Sequence, residues 1–250
     1  MLDYTTIWED FQLPSKGLIY DKPLNPNISL RSMTTAEEMR RLSPTKTPYK
    51  VMSDIIEDCM QPKLPVHVCD LSLGDYQYLL HKLRIVTYGT DYKMICTCPS
   101  CQQTNLTVAN LDDLEVHTYS DDILAKKLIK LPVSNFEVEL KFQTPHDMDL
   151  IAYQAEEYKK QKKNNVDYSM LFTLMSLISS IDGKPVDPKF LKDFVIQLPA
   201  RDGAYILNKA TELNTQIGVD AKIKVTYPFC GKEFNAPFRI TSEFFGPTEN

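Results

Sequence analysis

Glycine is scarce, with 8 residues in 250 against 16 prolines, and nowhere do the glycines gather into a loop that could cradle phosphate. The four histidines, His67, His81, His117 and His146, show neither a His-Glu-x-x-His pattern nor any other ligand spacing, and there is no Gly-x-Ser-x-Gly elbow. No segment approaches the roughly 18 uncharged apolar residues that a bilayer span requires, and the start Met1-Leu2-Asp3-Tyr4 lacks the basic region and apolar run of a secretion signal. A basic excess is missing too. The net charge of −5 disfavours broad nucleic-acid binding, which needs a positive face to neutralise phosphates. The expectation is a non-enzymatic, cytosolic, folded protein built to hold shape.

What the chain does have is core-forming material, 43% hydrophobic and 10% aromatic, enough for one large domain or two modest ones. Its six cysteines do not read as a secreted disulfide framework in a chain of this length. Cys59 and Cys69 read as small buried apolar residues. Cys98-Pro99-Ser100-Cys101, between two strand-like segments, and Tyr227-Pro228-Phe229-Cys230-Gly231, after another, look like the two knuckles of one zinc ribbon. Such a ribbon takes four thiolates, two from each hairpin tip, and Tyr227 stands where the third cysteine belongs. Three readings cover the gap. Cys96 is recruited, although on an extended strand it sits about 6 to 7 Å up the hairpin; a tyrosinate or a water fills the place; or there is no metal and Tyr227 and Phe229 pack as an apolar plug. The candidate metal ligands are therefore Cys98, Cys101, Cys230 and Cys96, with structural zinc the candidate cofactor. Redox chemistry at Cys98 and Cys101 is disfavoured, because Gln102-Gln103-Thr104-Asn105 leads into a strand and not into the helix that stabilises a thiolate in a dithiol oxidoreductase.

The pattern predicts an α+β protein. Residues 1–33, punctuated by Pro14 and Gly17, form an extended N-terminal arm or edge hairpin with a strand at Ile28–Arg31. Residues 34–90 form a helical layer: a helix opened by a Thr34/Thr35 capping box, one from Tyr49 to Met60, and one capped by Ser72 and ended by Gly89. Residues 91–110 and 221–240 are two halves of a split zinc-ribbon-like unit of β-hairpins. Between them, 111–220 is a mainly helical insertion, with a strand at Phe136–Phe142, a helix after Thr144-Pro145, a helix from Tyr168 to Ile181, a turn at Asp182-Gly183, and helices at Pro188–Gln197 and Pro199–Ile217. Residues 241–250 are a C-terminal tail. His81, among Leu79, Leu80 and Leu83, reads as a buried hydrogen-bonded histidine.

Phe11-Gln12-Leu13-Pro14-Ser15-Lys16-Gly17-Leu18-Ile19-Tyr20, Leu30-Arg31-Ser32-Met33-Thr34-Thr35-Ala36-Glu37-Glu38, Leu73-Gly74-Asp75-Tyr76 and Val86-Thr87-Tyr88-Gly89 resemble the T4-type bacteriophage baseplate protein family. The likeness includes both cysteine tips and the ending Thr241-Ser242-Glu243-Phe244-Phe245. It implies a hub subunit or hub-assembly chaperone of a tailed phage, made in the host cytoplasm, present or absent in the finished virion, docking on phage baseplate or tail proteins in an oligomeric assembly. Tyr227 departs from the paired-cysteine pattern of a ribbon. Candidate contacts are Phe11, Leu13, Leu18 and Tyr20 of the arm and Phe244 and Phe245 of the tail, because apolar groups on poorly self-packed ends need a partner; the competing reading buries them on the chain's own core. An alternative of another class is a zinc-ribbon nucleic-acid adaptor using Lys93, Lys222, Lys224 and Arg239.

Overall fold

The computed structural model describes residues 7–220, 222–238 and 242–245. β1 (Trp8–Gln12) pairs antiparallel with β2 (Asn27–Arg31), and β3 (Met60–Gln61) adds a third strand beside β2. β2 alternates, with Ile28 and Leu30 buried, as a strand with one face on a core must. The segment expected as an extended arm or edge hairpin thus holds two strands paired with each other, with residues 13–26 outside any strand.

α1 (Thr35–Leu42) begins where Glu37 accepts from the Thr34 N–H at 2.6 Å. α2 (Pro48–Asp58) carries proline in its first turn, and its free Tyr49 and Lys50 N–H groups donate to the Asp149 carboxylate at 3.3 and 2.8 Å. That cap comes from across the fold and satisfies donors that every helix start leaves open. α3 (Leu73–Tyr88) is capped by Ser72, which accepts from the Asp75 N–H, and stops at Gly89 with φ +82°. The long hairpin β4 (Asp91–Thr97) and β5 (Thr104–Asn110) follows, paired from Asp91↔Asn110 to Thr97↔Thr104.

The chain then crosses into a second core. Its strands and helices are β6 (Val116–His117), β7 (Leu128–Lys130), β8 (Glu137–Leu140), α4 (Pro145–Lys162), α5 (Ser169–Leu177), β9 (Ile178–Ile181), β10 (Lys184–Pro185), α6 (Pro188–Gln197), α7 (Ala200–Asn214) and β11 (Gly218–Val219). The antiparallel sheet runs β10-β9-β8-β7, and β11 pairs with β6 where the chain enters and leaves. Val138, Leu140, Leu174, Leu177, Ile206 and Leu213 are buried together here. This segment was expected to be mainly helical with one strand; α4 to α7 make up most of its regular structure, and a four-stranded sheet takes the place of the single strand. The helix expected through Ile181 stops at Leu177, because Asp182-Gly183 (φ +46° and +70°) closes a hairpin between β9 and β10. Asp-Gly is a turn whose twist suits a two-residue hairpin, and it recruits Ile178–Ile181 into the sheet.

β12 (Lys222–Thr226) and β13 (Glu233–Pro237) return to the first core, β12 packing against β5, and a short turn, Ser242–Phe245, closes the described chain. The expected closing strand to Ile240 ends at Pro237; residues 239–241 and 246–250, and with them most of the 241–250 tail, lie outside the described residues. The first core joins Leu13, Ile28, Leu30, Ile55, Ile56, Leu79 and Leu83 to Ile223, Val225, Phe238 and Phe244. The whole is α+β, with seven α-helices and several small antiparallel sheets among the described residues.

The two cores are bolted together at α3. Gly74 lies so close to the returning chain that a Cβ there would sit 2.2 Å from the Ile217 carbonyl oxygen, and one on Gly218 would sit 2.7 Å from the Gly74 Cα. Only glycine permits this approach. The Leu73 N–H donates to Gln143 O at 2.8 Å beside it.

α3 also carries three buried polar side chains. Near its start, Asp75 accepts from the Ser15 N–H (3.0 Å), the Ser15 hydroxyl and the Tyr20 hydroxyl (2.6 Å); burial pushes its carboxyl up against the pull of these donors. Near its end, the Arg84 guanidinium donates to the carbonyls of Phe244 (2.8 Å), Gly89 (2.9 Å) and Asp91 (3.3 Å) and lies 5.0 Å from the Tyr88 ring centroid. Burial holds its pKa below the ordinary arginine value.

Between them His81 is buried, with Nε2 2.9 Å from Leu111 O and Nδ1 unpartnered. The carbonyl requires Nε2 to carry the proton, and burial with no acceptor at Nδ1 keeps the ring neutral. Burial lowers its pKa from 6.5 to about 4. Because the folded state resists protonation, its contribution is complete above pH 6.5 and is lost as pH falls toward 4. The expected loss over that window is about 3 kcal/mol, read as a falling urea midpoint. His81→Gln, which keeps a donor for Leu111 but cannot titrate, should flatten the slope; an unchanged slope would assign the acid sensitivity to other groups.

Candidate functional site: two facing knuckles

The turn Cys98-Pro99-Ser100-Cys101-Gln102-Gln103 joins β4 to β5, and Tyr227-Pro228-Phe229-Cys230-Gly231-Lys232 joins β12 to β13. The two turns are built alike. In the first, Cys98 N–H donates to Gln103 O (3.0 Å) and Gln102 N–H to Cys98 O (2.8 Å); in the second, Tyr227 N–H donates to Lys232 O (2.9 Å) and Gly231 N–H to Tyr227 O (2.9 Å). The left-handed residue falls at the same place in each, Gln102 at φ +57° and Gly231 at φ +64°. This register makes Cys101 the counterpart of Cys230 and Cys98 the counterpart of Tyr227.

The tips meet. Cys98 Sγ lies 3.7 Å from Cys230 Sγ, and the sulfurs of Cys98, Cys101 and Cys230 all fall within 4.8 Å of one another. The Cys101 N–H, and after it the Ser100 N–H, point at the Cys98 sulfur and bring its thiol down from 9.0 to about 7. At Cys101 the Gln103 N–H likewise pulls the thiol down, yet partial desolvation and the Cys98 and Cys230 sulfurs push it up on balance. Tyr227 is fully buried, and its hydroxyl has no hydrogen-bond partner in the protein. Burial raises its pKa, and the Cys101, Cys98 and Cys230 thiols add to the rise.

Cys96, the other proposed ligand, is not part of this trio: it is buried in the first core, opposite Asn105 on the hairpin. A strand places residues two apart on the same face but several ångströms along it, too far for the tip.

A second polar group went unseen in the sequence. Cys69, Asp70 and His146 bring ligand atoms within 4.8 Å of one another. Next to them, His67 Nδ1 lies 2.9 Å from Cys69 Sγ, and its Nε2 lies 3.1 Å from Asp54. The order Cys–His–Asp mimics a nucleophilic relay, but burial and then Asp70 push the Cys69 thiol up to about 11, the reverse of what a nucleophile needs. His67 also accepts from the Cys69 N–H at 3.1 Å, which makes it the cap of a short turn. The only sequence signal was the i, i+2 spacing of His67 and Cys69.

The residues picked for partner contact are mostly used internally. Leu13, Phe244 and Phe245 are buried in the first core, Phe11 and Tyr20 pack against it, and Leu18 remains 46% exposed. Phe244 sits among Tyr92, Phe238 and Phe245, with ring centroids 5.4 to 5.6 Å away. This corrects the premise of poorly self-packed ends: the loop after β1 is tied down by Asp75, and the final described turn by Arg84.

Apolar groups are exposed elsewhere. On the outer face of the β4–β5 hairpin Ile95, 74% exposed, pairs with Leu106, 54% exposed, and Val108 lies beside them, while Phe229 on the facing knuckle is 70% exposed. Cys96, Thr107 and Ala109 fill the inner face, so the outer one ought to be polar. Of the basic stripe, Lys224 is paired with Glu233 at 2.7 Å, and Arg239 lies outside the described residues. Among the described residues no helix is long and apolar enough to cross a membrane.

Comparison with known families matches residues 9–246 to a model described as T4 bacteriophage base plate protein. Comparisons with curated proteins and with solved structures find no match.

Proposed function

Since the chain belongs to the T4 bacteriophage base plate protein family, we propose that it is a non-catalytic docking component of a tailed-phage baseplate, serving the hub as a subunit or as its assembly chaperone. The observation that carries the docking reading is the apolar outer face of the β4–β5 hairpin, Ile95, Leu106 and Val108, with Phe229 at the adjoining tip. Contiguous apolar groups on the wet side of a hairpin cost solubility and are the mark of a surface that another protein covers. Its partners would be baseplate proteins of the same phage, met in the host cytoplasm during assembly. Leu18 is the arm residue still free to join such a contact.

A tagged chain drawn from infected cells should bring down identified baseplate proteins of that phage. Ile95→Lys with Leu106→Glu should cut the recovery at least about tenfold, the effect of removing 1.4 kcal/mol or more of binding energy, while leaving the melting temperature close to the parent's, because both side chains are exposed and the paired positions then carry opposite charges. Undiminished recovery would move the docking surface elsewhere. Mass spectrometry of finished tails then separates the two roles: a subunit persists, a chaperone is gone.

A further inference from the structure

We propose that the facing knuckles bind one zinc ion through the thiolates of Cys98, Cys101 and Cys230, with Tyr227 walling the fourth corner. The three sulfurs come from two turns of the same hydrogen-bonded design on separate hairpins. Sulfurs sharing a tetrahedral zinc at about 2.3 Å stand about 3.8 Å apart, and Cys98 and Cys230 stand at 3.7 Å. A thiol pair far apart in sequence has no local reason to converge to that spacing on a hairpin tip. Backbone N–H groups of Ser100, Cys101 and Gln103 directed at the sulfurs are the outer contacts that hold metal thiolates in place. An all-sulfur set selects zinc over magnesium or calcium, which take oxygen.

The matching of the two turns also says what is missing. Tyr227 occupies the place of Cys98 in the second knuckle, buried and with an unpaired hydroxyl, an uncommon condition for a buried polar atom. A bound metal and its thiolates would give that hydroxyl something to meet. The site is structural in character: it clamps β4–β5 to β12–β13, which share no ladder of their own.

The test is zinc content and affinity. Protein purified under reductant should carry one zinc per chain by native mass spectrometry. Against a chromophoric chelator, Cys230→Ser and Cys101→Ser, both at surface positions, should weaken binding by more than the roughly 100-fold of an outer-contact change. Cys96→Ala should retain the metal. Tyr227→Cys supplies a fourth thiolate and should tighten binding at least about tenfold. Zinc-free protein that takes up none from solution would overturn the proposal in favour of an apolar plug. So would Cys230→Ser binding as well as the parent, or a Cys98–Cys230 disulfide trapped by alkylation at lysis.

Discussion

Asp75→Ala should cost the fold about 4 kcal/mol, because several buried donors lose their acceptor at once. The carboxylate has no neighbouring cation in its set of contacts; what holds it is the Ser15 N–H, the Ser15 hydroxyl and the Tyr20 hydroxyl. Alanine would leave all three donors buried without an acceptor, each worth about 1 to 3 kcal/mol. Asparagine keeps one carbonyl oxygen and should cost roughly half as much, and Tyr20→Phe, which removes a single donor, about 1 to 2 kcal/mol. The Tyr20 oxygen also accepts from the Ser72 N–H at 3.1 Å, so the loop after β1 and the start of α3 should loosen together. Urea denaturation of the three variants gives the order, and hydrogen exchange at Ser15 to Tyr20 locates it. An asparagine variant as stable as the parent, with alanine still costly, would mean that the cavity, not the unpaired donors, sets the cost.

Arg84→Ala should be of similar size, about 3 to 5 kcal/mol for three carbonyls that lose a charged donor, but should act on the opposite end of the chain. Its acceptors are the Phe244, Gly89 and Asp91 carbonyls, so the guanidinium satisfies the end of α3, the start of β4 and the closing turn at once. Without it the Ser242–Phe245 turn should detach and expose Phe244, which packs on Tyr92 and Phe238, and Phe245, which packs on Phe244. Arg84→Lys keeps the charge but cannot fork to three acceptors, and most of the loss should remain. Limited proteolysis near Phe245, faster in both variants than in the parent, checks this. A lysine variant as stable as the parent would show that charge alone suffices.

Much of the framework was legible because its signals are local. Thr34 with Glu37 and Thr144 with Asp147 announce helix starts through contacts three residues apart, and Pro188–Gln197 begins and ends where its proline and apolar spacing place it. The two cysteine tips were legible by the same logic, since a tight turn is a property of a few consecutive residues. Signals that depend on distant partners were not. Asp149 caps α2, Asp202 accepts from the Val133 and Ser134 N–H groups, and Asp75 anchors Ser15; each reads locally as a solvated acid. β6, β7 and β11 are two or three residues long and exist only by pairing. Ile178–Ile181 continues a helical stripe until the Asp-Gly turn claims it for the sheet. Phe244 and Leu13 read as loose ends because nothing in their own segments shows the arginine that holds Phe244 or the aspartate that holds Ser15 beside Leu13.

The contact of Gly74 with Ile217 and Gly218 has a mechanical consequence. Where peptide groups touch directly, with no side chain between them, no rotamer change can relieve a displacement, and close-packed contacts of this kind transmit strain. A push on the 123–217 lobe would therefore reach the head of α3 almost undamped.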